Sequence, residues 1–281
     1  MAILLLRYAE IGLKSTPVRR RFESTLKDNL LNRLMEDGVE ALVTNKGARF
    51  YVEATDIDAA VSSVRRVFGI ASMSIAEECT SKMDDMCQTA AEYSKGRIGT
   101  GQSFAVKARR EGSPGYTSLD MGREIGSAIF LANEDKGVRV DLTNPDVTFF
   151  VEARDNRAFI FQDYIRCHAG LPVGTQGKVI AELDGSDRSI VSAWLMMKRG
   201  CRVLIKGDSD YSMLSQYDTY LRPYDPQKDD PKKMLGYVSG ADLDGIRDID
   251  VSQFSIPVFF PTIGMSDDEV GTIMDTIEHG L

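Results

Sequence analysis

The stretch RYAEIGLKSTPVRRRFESTLKDNLLNRLMEDG, residues 7–38, decides the fold of the N-terminal part. Thr16-Pro17 reads as a helix start, with the hydroxyl as N-cap and the proline ring fixing φ at the first helical position. Val18, Phe22, Leu26, Leu30 and Leu34 then recur at four-residue steps, joined by Leu31, as one apolar stripe of a long helix. Gly38 offers the left-handed stop. Arg19, Arg20, Lys27 and Arg33 are left mostly off that stripe. Working outward, Met1–Arg7 reads as a strand, and Val39–Thr44 and Arg49–Ala54 read as two more around an Asn45-Lys46-Gly47 turn. Asp56 caps a second helix with the stripe Ile57, Ala60, Val61, Val64 and Phe68. A strand over Ile70–Ala76 follows Gly69. The resulting β-α-β-β-α-β order is that of a ferredoxin-like domain.

The remaining chain alternates helices and strands without an internal repeat. A helix over about Lys82 to Lys95 precedes a strand at Ser103–Ala108; Thr117 caps a helix to about Leu131, and strands fit Arg139–Leu142, Val147–Ala153 and Arg157–Gln162. Gly170–Gly177 has the proline and glycine content of a linker or of a turn that approaches a phosphate. Beyond it, a strand (Lys178–Leu183), a polar loop (Asp184–Ser189), a helix (Ile190–Arg199) closed by Gly200 and a strand (Arg202–Lys206) form a βαβ unit. In a parallel sheet such a loop lies at the carboxyl end of its strand, where a helix N-terminus presents free N–H groups to an anion. Tyr217 to Lys233, rich in proline and charge, reads as an irregular surface loop. The fold class is therefore α/β and α+β, with domains expected at 1–77, 78–168 and 169–281.

The length of 281 residues suits two or three domains, and 43% apolar with 27% charged residues is ordinary globular usage, which excludes disorder and collagen-like repeats. The apolar run Met1 to Leu6 ends at Arg7, too short to span a bilayer and charged on the wrong side for a signal peptide, so a cytoplasmic protein with no membrane partner is expected. Four cysteines without a CxxC pair make a disulfide framework or a zinc site improbable, and His168 and His279 lie at no metal-ligand spacing. Cys79 and Cys87, near one helix, read as structural. Asp242, Asp244, Asp248 and Asp250 lack the calcium-loop pattern and read as a solvated loop. Trp194 and Met196-Met197 read as core. Charge is uneven: residues 1–170 carry 23 Lys+Arg against 24 Asp+Glu, and residues 171–281 carry 11 against 18. A polyanion would be met by the N-terminal part.

Three segments resemble the tRNA 4-thiouridine synthetases, sulfurtransferases that modify tRNA and in some organisms serve thiamine biosynthesis. RYAEIGLKSTPVRRRFESTLKDNL (7–30) is similar to that family's ferredoxin-like domain. FAVKARREGSPGYTSLDMGREIG (104–126) with VDLTNPDVTFFVEARDNRAFIF (140–161) resembles its RNA-binding THUMP domain. GLPVGTQGKV (170–179) with AWLMMKRG (193–200) resembles the junction into its PP-loop pyrophosphatase domain. The resemblance implies tRNA as partner, a homodimer, a separate sulfurtransferase or sulfur donor, and in an active member Mg-ATP. It also favours RNA contact over a merely solvated face for Lys14, Arg19, Arg20 and Arg21. Lys107, Arg109 and Arg110, ahead of the Gly112-Ser113-Pro114-Gly115 loop, stand evenly between an RNA-contacting strand end and an ordinary charged one. Arg123 and the helix start at Thr117 are candidates for a terminal phosphate, since THUMP surfaces of the family hold the CCA end of tRNA.

The third segment departs from the family. Ser-Gly-Gly-x-Asp-Ser is matched by Asp184, Gly185, Ser186, Asp187, Arg188 and Ser189, so only Gly185 and Ser189 fit. A phosphate cradle needs small residues and no inward negative charge. Asp184 adds such a charge: like charges about 4 Å apart repel by roughly 4 kcal/mol at an effective dielectric of 20. Pairing with Arg188 or a metal would relieve it. IPVFFPTIGMSDDEV (256–270) is similar to a later family segment, while VSGADLDGI (238–246) stands where the family has a longer one and Leu281 falls short of the family's cysteine. The expectation is a tRNA-binding protein with a reduced, catalytically impaired PP-loop domain; the alternative is an active ATP-dependent tRNA sulfurtransferase.

Overall fold

A computed structural model describes residues 2–112 and 115–281. Ser113 and Pro114, the middle of the loop expected after Arg110, and Met1 lie outside the described residues. In chain order the elements are β1 (Ala2–Arg7), α1 (Thr16–Glu36), β2 (Ala41–Lys46), β3 (Arg49–Ala54), α2 (Ile57–Arg65), β4 (Ser72–Thr80), α3 (Met83–Ser94), β5 (Ser103–Glu111) and α4 (Ser118–Ala132). They continue as β6 (Arg139–Val140), β7 (Val147–Arg154), β8 (Arg157–Phe161), β9 (Ile165–Arg166), β10 (Lys178–Glu182), α5 (Asp187–Lys198), β11 (Arg202–Lys206) and α6 (Ser212–Ser215). The last are β12 (Arg222–Pro223), β13 (Tyr237–Val238), β14 (Val258–Phe259) and α7 (Asp267–His279). No helix among the described residues is long and apolar enough to cross a membrane.

The chain divides into two compact units. The first holds the start of the chain through Leu5, Tyr51–Glu53 and Met73–Ile165. Its strands run in the order β3-β1-β4-β8-β7-β5-β6. β7 pairs parallel with β5 and antiparallel with β8, which pairs antiparallel with β4. The α3 and α4 helices lay Met86, Ala90, Met121, Ile125 and Ile129 against Phe104, Phe149, Val151 and Ile160, all with essentially no exposed surface. α4 starts as expected: Thr117 and Asp120 cap each other reciprocally.

The second unit holds Leu6–Phe50, Ala54–Ser72 and Arg166–Leu281. Its sheet has the order β12-β11-β10-β13-β14, with neighbouring strands paired in parallel. Strand order reverses at β10, with β11 on one side and β13 on the other, so the switch-point crevice opens beyond the carboxyl ends of β10 and β13. α5 is buried along most of its length because Ile190, Val191, Ala193, Trp194 and Met197 meet both the sheet and Phe68 of the segment after α2. Phe68, His168, Trp194 and Tyr217 form one aromatic cluster with ring centroids 5.3 to 5.9 Å apart.

Several expectations need correction. α1 begins at Thr16 itself, with Ser15 at the N-cap and no side-chain cap bond. Val18 and Leu31 are 39% and 38% exposed, whereas Phe22, Leu26, Leu30 and Leu34 are buried. Arg33 is not on a free face: its guanidinium is buried, bonded to Asp37 and the Gln216 carbonyl. The turn after β2 is Gly47-Ala48, both with positive φ, and Asn45 and Lys46, expected in the turn, belong to β2. Cys79 lies on β4 and Cys87 on α3, so no single helix carries both. The segment 217–233 contains β12 and a short 3-10 turn at Pro231–Lys233.

The segment 170–177 is neither linker nor phosphate turn. Leu171 N–H donates to the Lys198 carbonyl, and Gly174 and Gln176 N–H donate to the Gly200 carbonyl. Its own carbonyls accept from α1, at Val173 from Asn29 and at Thr175 from Arg21. The segment is thereby fastened to the end of α5 and the start of β11, at the far end of β10 from Asp184.

Candidate nucleic-acid interface and strand-end loop

In the first unit the basic residues fall on β5 and α4. β5 runs three residues past the expected end, which places Lys107 and Arg109 on one face and Arg110 on the other. All three are exposed. Lys107 Nζ lies 6.0 Å from the Phe150 ring centroid, and Arg110 donates to the Gly112 carbonyl. Arg123 is exposed on the outer side of α4. The Thr117 hydroxyl accepts from Asp120 N–H, so one of the donors that a terminal phosphate would use at this helix start is already satisfied.

Arg123 stands on the rim of a groove the sequence reading missed. Gly122 and Gly126, four residues apart on α4, leave a trough of about 520 Å³ toward β6. Leu119, Phe130, Val140 and Leu142 form its walls, and these are 72%, 39%, 55% and 76% exposed. Neither glycine is conformationally required, since both have ordinary helical backbone and a Cβ would meet only ordinary contacts near Val106. What the glycines provide is the open space. The Gly-x-x-x-Gly spacing in GREIG was the available signal.

In the second unit, Lys14 and Arg20 are exposed, Arg19 lies 3.8 Å from Glu23, and Arg21 reaches the Thr175 carbonyl at 3.0 Å. Arg21 therefore fastens α1 to the segment after Pro172, while Arg20 presents its charge outward. Tyr8 donates to the Glu23 carboxylate, which holds the family-like 7–14 segment against α1.

The loop after β10 satisfies itself. Gly185 takes φ +86°, and Ser186 caps α5 by accepting from Ser189 N–H. Asp184 accepts from both Ser186 N–H (2.9 Å) and Ser186 Oγ (2.6 Å). Burial opposes the charge on Asp184, but the hydrogen bonds from Ser186 and Ser189 prevail and hold its carboxyl below the usual range. Arg188 does not pair with Asp184. Its guanidinium donates to the Thr262 and Met265 carbonyls and pairs with Asp267 at 2.6 Å, so its charge is committed to the start of α7. Over the first turn of α5 lies Gly240, in the loop after β13: a Cβ there would stand 2.5 Å from Ser189 N and 2.8 Å from the Arg188 carbonyl carbon. That close approach occupies the ground in front of the helix N-terminus. Among the described residues no group of three or more His, Cys, Asp or Glu is arranged to hold a metal ion, and all four cysteines are free.

Comparison with known proteins places these features. Residues 3–74 match the ThiI ferredoxin-like domain and residues 80–163 the THUMP domain. A probable tRNA sulfurtransferase of Methanosarcina acetivorans is 38% identical over 204 residues, 72% of this chain and 49% of that relative. One from Methanocaldococcus jannaschii is 32% identical over 247 residues, 80% of this chain and 64% of the relative. The chain thus spans about half the length of most of the curated relatives it matches. PH1313 from Pyrococcus horikoshii superposes with a TM-score of 0.82 at 25% identity, covering 100% of both chains. A 4-thiouridine synthetase in complex with RNA and ATP gives 0.77 at 22% identity, covering 100% of this chain and 86% of that one, which speaks to the fold alone. The expected fold, ferredoxin-like and THUMP domains followed by a Rossmann-like part, is borne out.

Proposed function

We propose that this chain, whose residues 3–74 form a ThiI ferredoxin-like domain and whose residues 80–163 form a THUMP domain, binds tRNA and takes its unpaired 3′ end into the groove on α4. The observation that carries the reading is the coincidence, on one helix of a THUMP domain, of an open apolar trough and the exposed Arg123 at its rim. Unpaired bases are recognised by stacking and apolar contact, and phosphates by arginine, which neutralises them and releases counterions. The exposed charges of Lys14 and Arg20, and of Lys107, Arg109 and Arg110, supply sequence-independent phosphate contacts.

The third domain, taken as 169–281, is catalytically impaired in this reading. The Ser186 N–H that would face a phosphate is taken by Asp184, Arg188 is turned to Asp267, and Gly240 backbone covers the helix start. The residues present there do not fit Mg-ATP. A homodimer, and a separate protein that supplies sulfur, complete the proposal. The second reading, an active ATP-dependent tRNA sulfurtransferase that adenylates and then thiolates uridine, is favoured by the names its relatives carry.

Gly122→Leu fills the trough while replacing a poor helix former with a good one, so the fold is retained. Anisotropy titrations should show an intact tRNA transcript binding the wild type at least about 10-fold more tightly than one without its unpaired 3′ nucleotides, a stacking contribution of about 1–3 kcal/mol. Gly122→Leu should erase that difference. Equal binding of both transcripts by the wild type would remove the groove from the site. Calorimetric heat from Mg-ATP would restore the enzyme reading.

A further inference from the structure

A second cavity, of about 580 Å³, lies in the second unit between the last turn of α5 and the segment that follows β14. Its apolar walls are Leu195 and Met196 of α5 and Phe259, Phe260 and Met265 of the segment from β14 to α7. The same cavity is lined by three charged side chains, Lys198 and Arg199 in the last turn of α5 and beyond it, and Glu10 in the 3-10 turn after β1. None of the three makes an ion pair among the described residues. Lys198 is held in place from two sides. Its Nζ lies 5.2 Å from the centroid of Trp194, and its backbone is pressed by Gly170, where a Cβ would stand 2.3 Å from the Lys198 carbonyl oxygen. Burial pulls the Lys198 ammonium down from its ordinary value, with Glu10 opposing that from a distance. An ammonium kept half-buried at the mouth of an apolar cavity, with its carboxylate out of reach, has donors directed at something else.

We propose that this cavity binds a nucleoside phosphate, with the base within the apolar walls, the phosphate at Lys198 and Arg199, and Glu10 accepting from sugar or base donors. The volume lies within the range of small-ligand sites, about 300–1,000 Å³. Two methionines and two phenylalanines give the adaptable, polarizable walls that flat heterocycles favour. Two cations against one carboxylate leave the net positive charge that a phosphate requires. The ligand is either a free mononucleotide or an unpaired nucleotide of an RNA strand. The inference rests on this cavity alone and stands apart from the groove on α4.

Trp194 is the chain's single tryptophan and touches Lys198, so its emission reports on the site directly. The full chain is titrated with AMP and UMP, and separately with a 5′-phosphorylated single-stranded RNA trinucleotide, with excitation at the red edge where nucleotides do not absorb. A saturable change with the mononucleotides identifies a free-ligand site, and one with the trinucleotide alone identifies an RNA nucleotide. In either case Lys198→Met, which keeps the stem, should weaken binding by at least about 10-fold, the loss of one charge-assisted hydrogen bond. Arg199→Met, at an exposed position that the fold does not need, should weaken it in the same direction. No saturable change with any of the three probes, or an affinity indifferent to both Lys198→Met and Arg199→Met in folded protein, overturns the proposal.

Discussion

His168 should make the protein less stable in mild acid. The imidazole is 4% exposed, set among the rings of Phe68, Trp194 and Tyr217 at 5.3 to 5.7 Å. Burial first, and then the nearby charges of Lys198 and Arg65, push its pKa from 6.5 down to about 4. The unfolded chain therefore takes up a proton at this residue before the folded one does. Its contribution is complete above the unfolded value and is lost as pH falls from about 7 toward 4. With 1.36 kcal/mol per pKa unit, the loss between about pH 7.5 and pH 5 is about 2 kcal/mol, and below both values about 3. Urea unfolding of the wild type and His168→Phe at both pH values isolates this residue, because the carboxylates that also titrate are common to both. The phenyl ring keeps the edge contacts and removes the proton site. The wild type should lose about 2 kcal/mol more than the variant over that interval. Equal losses would mean that His168 is as readily protonated in the folded chain as in the unfolded one, and the burial argument would fail.

Other outcomes follow from close packing. Gly170→Ala combines φ +77° with a Cβ 2.3 Å from the Lys198 carbonyl oxygen and should lower stability by at least about 2 kcal/mol in thermal or urea unfolding. Thr117→Ala removes one half of the capping box on α4 and should cost about 1 kcal/mol, with Thr117→Ser recovering most of it. Arg188→Met takes the guanidinium donors from the Met265 carbonyl and from the Thr262 carbonyl, which keeps only Met265 N–H, and should cost about 1–3 kcal/mol, so the loop after β14 should show faster amide exchange.

Local chemistry was the most legible part of the sequence. Arg202–Lys206 was read to the residue, and Asp56 and Thr117 cap their helices as expected, because such signals are complete within a few positions. The failures are geometric or long-range. Residues spaced four apart advance 400° on a helix with 3.6 residues per turn, about 40° beyond a full circle. Val18, two such steps from Leu26 and three from Leu30, has therefore rotated off the face that buries them. Leu31 stands a further 100° from Leu30. Arg33 looked like a surface cation because its partners, Asp37 and the Gln216 carbonyl, include one that lies far along the chain. The segment 170–177 misled for the same reason: its glycines suggest a phosphate turn until Lys198 and Gly200 are seen to accept its N–H groups.

The strand-end loop shows why a motif's residues and its geometry must be read together. From sequence, Asp184 reads as a repulsive charge that pairing with Arg188 or a metal would relieve. In the fold the two never meet, and each has found a different partner: Asp184 folds back on Ser186, and Arg188 spans to Asp267. Restoring the family residues by Asp184→Ser, Ser186→Gly and Arg188→Asp would therefore do two unequal things. The first two free the Ser186 position's N–H and remove a negative charge, which favours an anion. The third sets an aspartate opposite Asp267 and removes the guanidinium donors from the Thr262 and Met265 carbonyls, which loosens the segment before α7. Neither change moves the Gly240 backbone from its place 2.5 Å, at Cβ, from Ser189 N. The triple variant should then show no calorimetric binding of Mg-ATP and a lower melting temperature than the wild type. A gain in ATP affinity would mean that the substitutions alone closed the site and that the loop after β13 yields to a ligand.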